Sequence, residues 1–117
     1  MARKFSMALG TVLLLVGLCG IATGGHDHNL VVFGVNAGHN TLHVVSGIAA
    51  LLAAMAGERA AMIYCLVFGT AYGGVAVLGF FNVAYAMSAL NLNRADDFLH
   101  LAISALCLWV GGRSKGS

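Results

Sequence analysis

The residues of this chain that can do chemistry stand in two short segments. His39 and His43 lie four positions apart, and Asp96 and Asp97 precede His100 by four and three positions. On a helix, residues three or four apart share a face. Imidazole and carboxylate groups are ligands that zinc and copper accept. We therefore treat His39, His43, Asp96, Asp97 and His100 as a candidate metal site, on the condition that the fold brings the two segments together.

The same residues allow other interpretations. His43 and His100 on facing helices can hold a b-type haem or a chlorophyll-like pigment, and imidazoles can also sense pH. A structural role is a further alternative, because Asn40 and Asp97 suit N-cap positions and the histidines can then hydrogen-bond between helices. The spacing alone does not choose among these roles.

Four apolar blocks must position these residues. The chain is 60% hydrophobic and 9% charged, which is more apolar than a soluble domain of 117 residues. A membrane-spanning helix needs roughly 17 to 25 residues, so four helices with short loops account for the whole chain. Uninterrupted apolar runs exclude the alternating pattern of a membrane barrel. We predict an all-α, four-helix transmembrane bundle in a single domain over residues 1–117, with helices at about 5–23, 38–56, 60–81 and 95–112.

The basic residues predict the orientation of these helices. Five of the six fall at ends that share one side of the membrane: Arg3, Lys4, Arg59, Arg113 and Lys115. By the positive-inside rule, both termini are cytoplasmic and the candidate site lies on the outer side of the cell inner membrane, in a multi-pass protein. The first uncharged run has 19 residues, longer than a usual signal-peptide core, so we expect it to stay as a membrane helix.

A weak internal repeat divides the chain into halves. Asn40-Thr41-Leu42-His43 recurs 57 positions later as Asp97-Phe98-Leu99-His100, and Gly10-Thr11 and Gly20 recur 59 positions later as Gly69-Thr70 and Gly79. We infer two tandem helical hairpins related by an axis along the membrane normal. The short segment Gly57-Glu58-Arg59 makes the second and third helices antiparallel neighbours.

Small residues are placed for close helix packing. Gly69 and Gly73 form a GxxxG pattern, for which we favour packing within the chain over a dimer face. The three cysteines lie in apolar blocks without CxxC spacing, so we interpret them as small buried or lipid-facing residues and not as a disulfide or metal framework. The His26-Asp27-His28 run is interpreted as a solvated loop, and Trp109 as an interfacial anchor.

Two regions carry a resemblance to a known family. They are Asn40-x-x-His43-x-x-x-Gly47, followed by a helix rich in alanine and leucine, and Asn91-Leu92-Asn93-Arg94-Ala95-Asp96-Asp97-Phe98-Leu99-His100. From about Val35 to Val110 the chain resembles the small bacterial membrane proteins grouped as domain of unknown function 4383. The resemblance implies a four-helix membrane protein with both termini inside, and it implies no reaction. Ser104 departs from the pattern, which leads us to expect glycine there.

No motif in the sequence supports catalysis. The chain has no G-x-S-x-G, HExxH or P-loop sequence, and no GxGxxG between a strand and a helix. We expect a non-enzymatic accessory or scaffold component whose partners are the bilayer and another membrane protein or a second copy. The net charge of +2, without a basic cluster, argues against nucleic acid. The alternative is a protein that binds a transition metal, haem or pigment through the histidines. A transporter is less favoured, because no helix centre carries a charge.

Overall fold

The computed structural model describes residues 1–23, 28–30, 33–84 and 93–113, and four α-helices dominate this part of the chain. The elements are α1 (Ala2–Thr23), β1 (His28–Leu30), β2 (Phe33–Val35), α2 (Ala37–Ala56), α3 (Glu58–Phe80) and α4 (Arg94–Arg113). The prediction of an all-α four-helix bundle is confirmed. The two strands add a short antiparallel ribbon between α1 and α2, with His28 opposite Val35.

Each of the four helices is long and apolar enough to cross a membrane. The longest dimension of the molecule is 41 Å, which exceeds the roughly 30 Å of a bilayer's hydrocarbon core. Large apolar side chains point outward, as at Leu15, Leu52 and Val67, whereas alanines such as Ala50 and Ala61 are fully buried. This distribution suits lipid as the surrounding medium, because close helix packing in lipid depends on small residues.

The helices form two tandem hairpins, as the repeat predicted. The first hairpin is α1 packed along α2, the second is α3 packed along α4, and the two join mainly through α3 against α1 and α2. We call the end of the bundle where α1 ends and α2 begins the connection end, and the opposite end, with the α2–α3 turn, the turn end.

The repeat extends to every buried position of the first hairpin. The buried residues of α1 are Ala2, Ser6, Gly10, Leu13, Gly17 and Gly20, and 59 positions later α3 buries Ala61, Cys65, Gly69, Tyr72, Ala76 and Gly79. The buried residues of α2 are His39, Asn40, His43, Ser46, Gly47, Ala50 and Ala54, and 57 positions later α4 buries Asp96, Asp97, His100, Ile103, Ser104, Cys107 and Gly111. The two hairpins therefore present equivalent faces to the interior.

The GxxxG pattern of α3 packs against α4 within the chain, as predicted. A methyl group added at Gly69 would lie 2.9 Å from Cβ of Cys107, and one added at Gly73 would lie 2.8 Å from Oγ of Ser104. Only glycine leaves room for so close an approach of the two helices.

The turn end is fixed by a contact that the sequence did not indicate. Gly57 joins α2 to α3 with φ of 132°, a left-handed conformation that favours glycine. The next residue, Glu58, accepts hydrogen bonds from the amino terminus at 2.9 Å and from the backbone N–H groups of Ala2 and Arg3. These bonds satisfy N–H groups at the start of α1, which have no partner inside the helix.

Candidate metal site

The first turns of α2 and α4 place the candidate residues at the connection end. Asn36 caps α2 by accepting a hydrogen bond from the backbone N–H of His39 at 2.9 Å. Asn93, 57 positions later, accepts one from the N–H of Asp96 at 2.9 Å, and Asp96 Oδ2 accepts from the N–H of Asn93 in return. Equivalent asparagine caps therefore fix the two segments that carry the site.

The interpretation of Asn40 and Asp97 as N-caps is wrong, because the helices begin earlier, at Ala37 and Arg94. Both side chains are buried and face a glycine of the neighbouring helix. Asn40 fills the space in front of Gly20, and Asp97 fills the space in front of Gly79. These are the glycines of the internal repeat, so each one makes room for a polar side chain at the connection end.

Three of the predicted residues come together. His39, His43 and His100 are each at most 2% exposed, and one potential ligand atom of each lies within 4.8 Å of the other two. The ring centroids are separated by 4.4 Å for His39–His43, 5.3 Å for His39–His100 and 6.1 Å for His43–His100. Bonds of about 2.0–2.1 Å to zinc hold two nitrogens a little over 3 Å apart, so small side-chain rotations bring the three rings onto one ion.

Two of these histidines bury polar atoms without satisfying them. Among the described residues, neither ring nitrogen of His43 or His100 has a hydrogen-bond partner. A neutral imidazole carries one donor and one acceptor, and leaving a buried group unsatisfied costs about 1–3 kcal/mol. Such groups call for an explanation. A metal ion supplies one, since it takes up the lone pair of a neutral imidazole nitrogen.

The two predicted carboxylates are buried nearby but lie outside the group formed by the three histidines. Asp97 Oδ2 pairs with the guanidinium of Arg94 at 3.1 Å. Arg94 in turn donates to Asn82 Oδ1 and lies over the ring of Phe80, which ties the start of α4 to the end of α3. Asp97 thus serves the second hairpin, while Asp96 takes part in the cap of α4.

The geometry does not fit a haem or pigment held between His43 and His100. A flat macrocycle with these axial ligands would cross the middle of the line that joins the two rings. The ring of His39 lies beside that point, at 4.4 and 5.3 Å from the other two centroids.

Tyr72 is a neighbour of the site that the sequence analysis did not identify. Its ring stacks on His100 with centroids 5.6 Å apart, and it is 2% exposed. Through Tyr72, α3 contributes to one side of the histidine cluster. The sequence feature that could have identified Tyr72 is its hydroxyl group within an apolar spanning block, where polar groups are costly to bury.

The His26-Asp27-His28 run lies outside the residues whose side chains the structure describes. Trp109 is 57% exposed near the turn end, with the Arg113 guanidinium 5.5 Å from its ring. That position suits an interfacial anchor, which stays a prediction.

Comparison with known proteins identifies the family. The model of the family described as domain of unknown function DUF4383 matches residues 3–112. The chain belongs to this family. No curated protein and no solved structure matches it.

The DUF4383 match confirms the resemblance and extends it over α1. It includes all five candidate site residues and assigns no activity. The departure at Ser104 has a structural explanation, because the Ser104 hydroxyl donates a hydrogen bond of 2.6 Å to the Gly69 carbonyl oxygen.

Proposed function

We propose that this DUF4383 protein is a non-enzymatic membrane component that binds a divalent transition metal ion through His39, His43 and His100. The observation that carries the proposal is the group of three buried imidazoles with ligand atoms within 4.8 Å of one another. Imidazole suits zinc and copper, and one unsatisfied nitrogen of His43 and one of His100 gain a partner when an ion binds.

The charge distribution supports a location for this site. With five of the six basic residues on the cytoplasmic side of the inner membrane, the connection end faces outward. In this orientation a metal ion enters the site from the outer side of the inner membrane. Reporter enzymes fused after Ser117 test the orientation. A reporter that works only in the cytoplasm should be active when fused at this end. Activity of a reporter that works only after export would contradict the proposed topology.

Metal binding to the purified, chelator-treated protein tests the function. We expect one Zn²⁺ or Cu²⁺ per chain by elemental analysis and calorimetry, and loss of this binding in His43→Ala and His100→Ala. Thr41→Ala is the control, because Thr41 is an exposed residue of α2 between His39 and His43 whose hydroxyl bonds within its own helix, and this variant should bind like the wild type. Failure of the wild type to bind either ion would refute the proposal.

Thermal unfolding of the wild type gives a second test, which does not depend on whether the histidine variants fold. An ion that binds only the folded state stabilises it by about 2.7 kcal/mol at 100 times its Kd. The unfolding temperature of the wild type should therefore rise with Zn²⁺ concentration, and should return to its original value after addition of a chelator.

A further inference from the structure

The internal repeat relates the residues of the site in pairs. His43 corresponds to His100, and His39 corresponds to Asp96, each 57 positions apart. All four are buried, and α2 and α4 bury equivalent positions along their length. Asp96 therefore occupies, relative to His100, the place that His39 occupies relative to His43.

Two pairs of donors related by a two-fold axis are the arrangement found around a tetrahedral ion. Three of the four places hold imidazoles, and the fourth holds a carboxylate. We propose that Asp96 supplies the fourth donor, which makes the site a closed four-ligand site of three histidines and one carboxylate, donor types that zinc accepts. This inference rests on the proposed function and names the ion that the site takes.

Charge supports a carboxylate at the fourth place. A divalent ion held by three neutral imidazoles keeps its full charge, and an uncompensated charge is costly to bury in an apolar interior. Of the two carboxylates at this end of the described chain, Asp97 pairs with Arg94 at 3.1 Å, whereas Asp96 holds the position equivalent to that of His39. Asp96 also takes part in the cap of α4, because its Oδ2 accepts a hydrogen bond from the backbone N–H of Asn93.

Side-chain length explains why Asp96 lies outside the group of three histidines. An aspartate reaches less far from its backbone than a histidine does, so its oxygens stay farther from the axis at an equivalent position. Donors on one zinc ion lie a little over 3 Å apart, so binding through Asp96 requires the starts of α2 and α4 to move closer together.

The test compares Asp96→Asn with Asp97→Asn in the full chain. Competition with a chromophoric chelator gives the Zn²⁺ affinity, and the visible absorption of bound Co²⁺ reports the ligand set. We expect Asp96→Asn to weaken Zn²⁺ binding about 10-fold or more and to change the Co²⁺ spectrum. Asp97→Asn is the matched control, with the same change of charge one residue away, and should keep the wild-type spectrum.

Asp96→His gives a second test, because His39 shows that the equivalent place accepts a histidine. This variant should bind Zn²⁺ and give a Co²⁺ spectrum typical of four nitrogen ligands. A wild-type spectrum in Asp96→His, or wild-type affinity in Asp96→Asn, would overturn the fourth-ligand inference. If His43→Ala still abolishes binding in that case, the proposed function stands. If the wild type binds no metal, the proposed function itself fails.

Discussion

The two hairpins bury equivalent positions but hold their helices together with different residues. In the second hairpin, the Ser104 hydroxyl donates to the Gly69 carbonyl oxygen at 2.6 Å. The equivalent residues of the first hairpin are Gly47 and Gly10, which approach backbone to backbone: a methyl group added at Gly47 would lie 2.8 Å from the Gly10 oxygen. A hydrogen bond in one half thus replaces a direct glycine contact in the other.

Closer to the turn end, the serine hydrogen bond lies in the first hairpin and not in the second. In the first hairpin, the Ser6 hydroxyl donates to the Ala50 carbonyl oxygen at 2.7 Å. The equivalent residues of the second hairpin are Cys65 and Cys107, which are fully buried in the core and leave this level without a serine. Within the described residues, each hairpin therefore has one serine-to-carbonyl bond between its helices, at a different level of the bundle. The comparison teaches that the burial pattern is shared by the two halves, while the interactions that fill it are not interchangeable.

Placing a serine in the first hairpin at the position equivalent to Ser104 should have the largest effect on stability. Gly47→Ser gives the first hairpin the residue that the second carries, but its Cβ would lie 2.7 Å from the backbone nitrogen of Leu14 and 2.8 Å from the Gly10 oxygen. Backbone atoms of a packed helix cannot move aside cheaply, so we expect a loss of about 1–3 kcal/mol. Titration with a denaturing detergent, followed through Trp109 fluorescence and circular dichroism, measures the loss.

Gly74→Ser is the control for this exchange. A Cβ at Gly74 meets no atom within 4 Å among the described residues, so this variant should keep wild-type stability or gain slightly from better helix propensity. Equal losses at Gly47 and Gly74 would show that backbone approach does not distinguish the two positions.

The sequence predicted the architecture well for a physical reason. Apolar blocks of spanning length have few alternatives to helices in lipid, and the two Leu-His segments marked equivalent helix starts. The convergence of His39, His43 and His100 followed once α2 and α4 were placed in tandem hairpins. The hydrogen bonds between helices did not follow, because they depend on which rotation each helix takes about its axis.

The misassigned caps show the limit of local patterns. Asn36 and Asn40 are four residues apart, and both are residue types that favour N-caps. The choice between them depends on a tertiary contact, since burial of Asn40 against Gly20 requires that it lie inside the helix. The contact of Glu58 with the start of α1 is similarly remote, because it joins residues more than 50 positions apart.

Removal of the two asparagine caps should have the next largest effect and should separate the hairpins. Asn36→Ala and Asn93→Ala are each expected to cost about 1 kcal/mol. The bond from the Asn93 backbone N–H to Asp96 survives the second substitution, so the start of α4 should fray less than the start of α2. Hydrogen exchange of the first-turn amides measures this difference. Asn36→Asp keeps a capping oxygen and should exchange like the wild type, and equal fraying of both helices would contradict the expected asymmetry.

The smallest expected effect tests the two serine bonds themselves. Ser6→Ala and Ser104→Ala each remove one buried hydroxyl that donates to a carbonyl of the neighbouring helix. Hydrogen bonds between membrane helices contribute about 0.6 kcal/mol on average, so each variant should lose about that much in the same detergent titration. Thr70→Ala is the matched control, because its hydroxyl is exposed and bonds to Leu66 within its own helix. The double variant should lose the sum of the two single effects, since the bonds lie in different hairpins and share no partner. A loss of stability in the double variant well above that sum would show that the two hairpins are coupled energetically.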